Sequence, residues 1–139
     1  MAKATVKWTG KGQFVGTDST RHSVVMSTQD EENATGMKPS ELLLVALGGC
    51  TGVDVVSILK KSRQNLTSLE IEATGEQDAD PPWVYRKIHL EYRLHGSGLS
   101  SEAVERAIRL SEEKYCSVRV TISGTAEVTS SYTIVQDDS

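Results

Sequence analysis

Apolar and polar positions alternate at two different periods along this chain, and the switch between them defines its elements. Ala4, Val6 and Trp8 alternate with Thr5 and Lys7, the period-two signature of a half-buried strand. A glycine-punctuated turn spans Gly10 to Gly16, and Phe14-Val15 starts a second short strand. His22 to Ser27 reads as a third strand, built on Val24, Val25 and Met26. Gln29 to Gly36 is polar and charged and reads as a loop. Leu69, Ile71 and Ala73 alternate with Ser68, Glu70 and Glu72, and Asp78-Ala79-Asp80-Pro81-Pro82 is a turn. Val84 to Leu94 is the clearest strand: Ile88, Leu90, Tyr92 and Leu94 face one way, His89, Glu91 and Arg93 the other. Ser100 or Ser101 caps a helix expected to run to about Cys116, with Ala103, Val104, Ala107, Ile108 and Tyr115 as its apolar stripe. Thr125 to Val135 supplies one or two closing strands.

Between the third and fourth strands the pattern changes character. Pro39 suits the first position of a long helix, and from Leu42 to Gly49 no polar side chain appears. A helix that is apolar all round is expected to be buried on every face. One small sheet and one other helix can hardly cover it, so a partner subunit is the simplest cover and a homodimer is expected. Cys50 lies in the middle of this helix, crowded by Gly48, Gly49 and Gly52. Each interior glycine costs roughly 1 kcal/mol relative to alanine, which implies a close approach to the thiol. The other cysteine, Cys116, falls at the end of the second helix.

Composition narrows the classes. The chain has 139 residues, enough for one domain with a real core, and the whole of it is expected to form a single unit. A net charge of −4 offers no basic footprint for nucleic acid. Two cysteines are too few for a disulfide scaffold. The Cys50 helix reads as too short and too glycine-broken to span a membrane, no secretory core is visible at Met1 to Thr5, and a cytoplasmic location is expected. His22, His89, His95 and the cysteines show no close metal-ligand spacing, and no phosphate loop or serine elbow is present. Asp54 shares a helix face with Cys50. Its charge would raise the thiol pKa unless it is paired, with Arg21, Arg86 or Arg119, or takes part in the site. Glu41 reads as a first-turn residue complementing the helix dipole.

A proline followed eleven positions later by a cysteine on a long apolar helix, and a second cysteine 66 residues on, resemble the OsmC/Ohr proteins, the osmotically inducible and organic hydroperoxide resistance family. The order of strands and helices is similar over nearly the whole chain. The resemblance implies an α+β fold with antiparallel sheets, a long central apolar helix and a second helix, in an intertwined homodimer with its thiols at the subunit interface. It further implies a thiol-dependent peroxide reductase, with Cys50 peroxidatic and Cys116 resolving, supplied by a small-molecule peroxide and a cellular dithiol. No metal, flavin or haem is implied, nor any nucleic-acid or membrane partner. Family members usually read Asn-Pro-Glu at the helix start, with the Glu paired to an Arg from the first strands. Here the run is Lys38-Pro39-Ser40-Glu41, so Ser40 holds the Glu position. The stretch Gly10 to Phe14 offers Lys11 and Gln13 but no arginine, and Arg21 is the nearest. Cys116-Ser117-Val118 stands where Cys-Pro is common. A non-enzymatic member of the fold, binding a small ligand or sensing oxidants at the dimer interface, is the alternative these departures favour.

Overall fold

The computed structural model describes residues 1–137, which fall into two compact units divided within the long helix, between Leu43 and Leu44. The first unit, residues 1–43, is an antiparallel three-stranded sheet of β1 (Ala4–Gly10), β2 (Gln13–Asp18) and β3 (Ser23–Ser27). Trp8 pairs with Phe14 and Val15 with Val25 across it. The loop after β3 is held by Ser27, whose hydroxyl accepts from the backbone N–H groups of Thr35 and Gly36. Helix α1 (Pro39–Lys61) starts in this unit with Pro39 at its first position and Glu41 in its first turn.

The second unit, residues 44–139 and described to 137, contains the rest of α1, β4 (Asn65–Gln77), β5 (Tyr85–Ser97), α2 (Ser101–Leu110), α3 (Ser117–Ile122) and β6 (Glu127–Gln136). Strand β5 is central. It pairs antiparallel with β4 and parallel with β6, because the chain crosses back through the helices before β6 begins. The period-two reading of β5 holds: Ile88, Leu90, Tyr92 and Leu94 are buried, and the alternate residues form the polar outer face. There Arg93 pairs with Glu70, Glu72 and Glu91. Gly96 is obligatory, since a Cβ there would stand 2.2 Å from the Asn65 carbonyl oxygen.

Helix α1 is covered within the chain on one side alone, which leaves open the expectation that a partner covers the rest. Only one stripe of it is buried, Leu47, Thr51, Val55 and Leu59, spaced four apart so that they stack on one face against the β5 side chains and α2. Val45 and Val53 are 53% and 71% exposed. One face is buried within the chain because the unit has a single sheet layer to offer it. The expectation that the helix is too short for a membrane fails. Its 23 residues reach about 34 Å, and by length and composition it could cross one. Its buried stripe nonetheless belongs to the unit's own core.

The second helix is shorter than its apolar pattern suggests. Ser100 caps α2 by accepting from the Ala103 N–H, but the α-geometry stops at Leu110. Ser111–Tyr115 follow as one π-turn, closed by the Cys116 N–H donating to the Ser111 carbonyl at 2.7 Å. The extra residue per turn takes Tyr115 off the buried stripe, and it is 53% exposed. Cys116 is extended and caps α3, a short helix the sequence reading lacked.

Candidate functional site

Both cysteines are free thiols in the second unit, and they meet there. Cys50 comes from the middle of α1 and is half-buried; Cys116 comes from the end of the π-turn and is fully buried. Burial pushes the Cys116 thiol up to about 11. Its hydrogen-bonding contact with Cys50 and the charges of Cys50 and Asp54 act the same way. The Arg119 backbone N–H, donating to its sulfur at 3.4 Å, acts against them. Burial, and not the neighbouring Glu112-Glu113 pair, is the first cause.

Glu112 is turned inward instead. Its carboxylate accepts from the Tyr92 hydroxyl at 3.1 Å and the Ser130 hydroxyl at 3.2 Å, and lies 3.7 Å from Nε of Arg119. The Arg119 guanidinium also donates to the carbonyls of Glu112 and Val128, at 3.4 and 3.3 Å. Its buried Nε has no hydrogen-bond partner among the described residues. Burial raises the Tyr92 hydroxyl above the ordinary tyrosine range, so it stays a donor to Glu112. A buried Glu–Arg pair thus stands on both flanks of Cys116 in sequence. The reading from sequence missed it. The available signal was the placement of Glu112 four before and Arg119 three after the cysteine.

Among the described residues Asp54 forms no ion pair, so the first of its two alternatives is not met. It accepts from the Ser111 hydroxyl at 3.0 Å, while Arg86 pairs with Asp78 and Arg119 with Glu112. The reason is topological: β5 turns Arg86 outward beside the Asp78 turn, and α3 directs Arg119 toward Glu112. Arg21, Ser40 and Glu41 belong to the first unit. Arg21 sits in the β2–β3 turn with a left-handed φ of 67°, its N–H on the Asp18 carbonyl. The second unit therefore brings together Cys50, Asp54 and Cys116.

The glycines beside Cys50 open onto solvent. A Cβ on Gly49 would meet nothing within 4 Å, and one on Gly52 would meet only Ile71, at 3.3 Å. They line a groove of about 1040 Å³ between α1 and β4, with Leu44, Val53, Leu69 and Ile71 as its apolar walls. The close approach anticipated from these glycines is not made by the described residues of the second unit.

Fold and site together define an α+β protein with two facing thiols, one reachable and one buried. The pattern of the OsmC-like proteins matches residues 6–131, and the chain belongs to that family. Protein YhfA of Escherichia coli K12 is 37% identical over 133 residues, covering 96% of this chain and 98% of that protein. A crystal structure of a hypothetical protein from Aquifex aeolicus VF5 superposes with a TM-score of 0.88 at 28% identity, covering 99% of this chain and 98% of that one. The organic hydroperoxide resistance protein OhrB of Bacillus subtilis shares the fold, with a TM-score of 0.63 at 17% identity over 96% of this chain and 98% of that one.

Proposed function

We propose that this protein is a cytoplasmic, homodimeric, thiol-dependent reductase of organic hydroperoxides. The observation that supports it most is the meeting of a half-accessible and a fully buried thiol within one unit. The Cys50 thiolate attacks the outer peroxide oxygen. The O–O bond breaks, the alkoxide leaves and takes a proton, and Cys50 becomes a sulfenic acid. Cys116 then attacks that sulfur, forming the disulfide and releasing water. A cellular dithiol reduces the disulfide and restores both thiols. The family name and the hydroperoxide-resistance name of a fold relative agree with this chemistry. Dimerisation is supported by the uncovered apolar face of α1, with Val45 and Val53 exposed beside the open groove.

The test is steady-state turnover of cumene hydroperoxide with a dithiol. Consumption that requires Cys50 is expected, and no consumption of any organic hydroperoxide or of hydrogen peroxide would overturn the proposal. The second reading, an oxidant sensor or binder of a small apolar ligand, is favoured by the groove of about 1040 Å³ and by Ser40 in the family's Glu position. It gains if oxidation of Cys50 occurs once without turnover.

A further inference from the structure

A fixed carboxylate beside two thiols works against thiolate formation. Its presence is therefore informative. Asp54 follows Cys50 by one turn of α1 and projects on the same face. Its carboxylate is pinned by the Ser111 hydroxyl at 3.0 Å. Ser111 in turn holds the resolving segment, because its carbonyl accepts the Cys116 N–H at 2.7 Å. Asp54 thus stands at the junction of the two cysteine-bearing segments, on the wall of a cavity of about 470 Å³ that reaches solvent. No ion pair involving Asp54 is present among the described residues, and its carboxylate keeps an oxygen free of the Ser111 hydroxyl.

The geometry points to Asp54 as the base that takes the Cys116 proton, directly or through one water, when Cys116 attacks oxidised Cys50. This deepens the two-cysteine reading of the site and rests on it. In the peroxide cycle the Cys116 sulfur forms a bond to the Cys50 sulfur, the S–O bond of the sulfenic acid breaks, and two electrons pass to the departing oxygen. The proton leaves Cys116 for Asp54 and passes on to the hydroxide, which departs as water. Asp54 ends as it began. A protonated buried thiol is a poor nucleophile, so a base within reach removes the main obstacle to this step.

The test isolates the step without a peroxide. Dithionitrobenzoate reaches half-buried Cys50 before buried Cys116 and leaves an aryl mixed disulfide on it. Attack by Cys116 then forms the protein disulfide, breaks the aryl S–S bond and releases the coloured aryl thiolate, with the Cys116 proton going to Asp54. Stopped-flow absorbance reads the rate. The groups facing Asp54 are Cys50 and Lys61 on α1, Arg106 on α2, and Tyr115 and Cys116 from the turn. Asp54 is the one carboxylate among these groups. Wild-type closure is expected to be nearly flat between about pH 6 and 8. Asp54→Asn, which still accepts from Ser111, is expected to close at least about tenfold slower at pH 7. Its rate should rise about tenfold per pH unit as thiolate forms, until it meets the wild-type rate. Such recovery shows the site intact. A wild-type rate and profile in Asp54→Asn would overturn the inference, as would slowing by one constant factor at every pH, which is a positioning effect. Failure to consume peroxide would overturn the reductase reading while leaving this closure assay decisive for Asp54.

Discussion

The Tyr92 hydroxyl donates to the Glu112 carboxylate at 3.1 Å, and this bond anchors the π-turn ahead of Cys116 to the central strand of the sheet. Tyr92 is fully buried, so its hydroxyl has no water to turn to. Tyr92→Phe should cost about 1–3 kcal/mol of unfolding free energy, because Glu112 loses a donor it cannot replace. Urea denaturation checks this, and loss of less than a few tenths of a kcal/mol would show that the anchor is not needed.

Arg119 and Glu112 should behave as a coupled pair. Their side chains are 20% and 10% exposed, so removing one leaves the other partly desolvated and uncompensated. Arg119→Met is expected to destabilise by about 2–4 kcal/mol, below the figure for a fully buried pair. The double variant Arg119→Met with Glu112→Gln should recover part of that loss. A double-mutant cycle with no coupling would contradict the assignment.

The two cysteines should separate in single-turnover chemistry. Cys50→Ser should abolish peroxide reduction, since a hydroxyl does not ionise near neutral pH. Cys116→Ser should leave the first oxidation intact and hold Cys50 as a sulfenic acid that dimedone labels, read by mass spectrometry. Equal loss of single-turnover activity in both variants would contradict the assigned roles.

Burial of Cys116 carries a pH signature. Its folded pKa, about 11, lies above the ordinary 9.0, so the unfolded chain loses this proton first. The stabilisation is fully present below about pH 9 and fades as the pH rises toward 11. Wild type should therefore lose up to about 3 kcal/mol more stability than Cys116→Ser between those limits. Paired denaturation curves test this, and parallel losses in the two proteins would exclude it. The same shift should leave Cys116 slow toward iodoacetamide near pH 8.

The open face of α1 should be covered by a second copy. A lasting dimer of this kind is expected to bury more than about 2,000 Å². Val53→Asp, at a position 71% exposed within the chain, should leave the monomer folded and break the dimer. Sedimentation at micromolar concentration reads the outcome, and a wild-type monomer would defeat it.

Period-two alternation made β4 and β5 legible from sequence, since each has one face on the core and one in water; β1 alternates as well and is a strand, but it is not half-buried as expected, because Val6 and Trp8 are both exposed. Pro39 and the apolar run marked α1 for the same kind of local reason. The cysteine spacing, with the family resemblance, pointed to Cys50 and Cys116. What the sequence could not decide was long-range. An apolar helix announces that its surface avoids water, but not which side its own sheet covers; here only Leu47, Thr51, Val55 and Leu59 are covered. The π-turn at Ser111–Tyr115 inserts one residue into a helical pattern, and its anchors lie on α1, β5 and β6, far along the chain. Partners of charged groups were likewise settled by packing. Asp54 took a serine and Glu112 an arginine, because α1, the π-turn and α3 converge around the thiols. Local periodicity fixes which face of an element is apolar; which charges meet depends on contacts that close only when the whole unit folds.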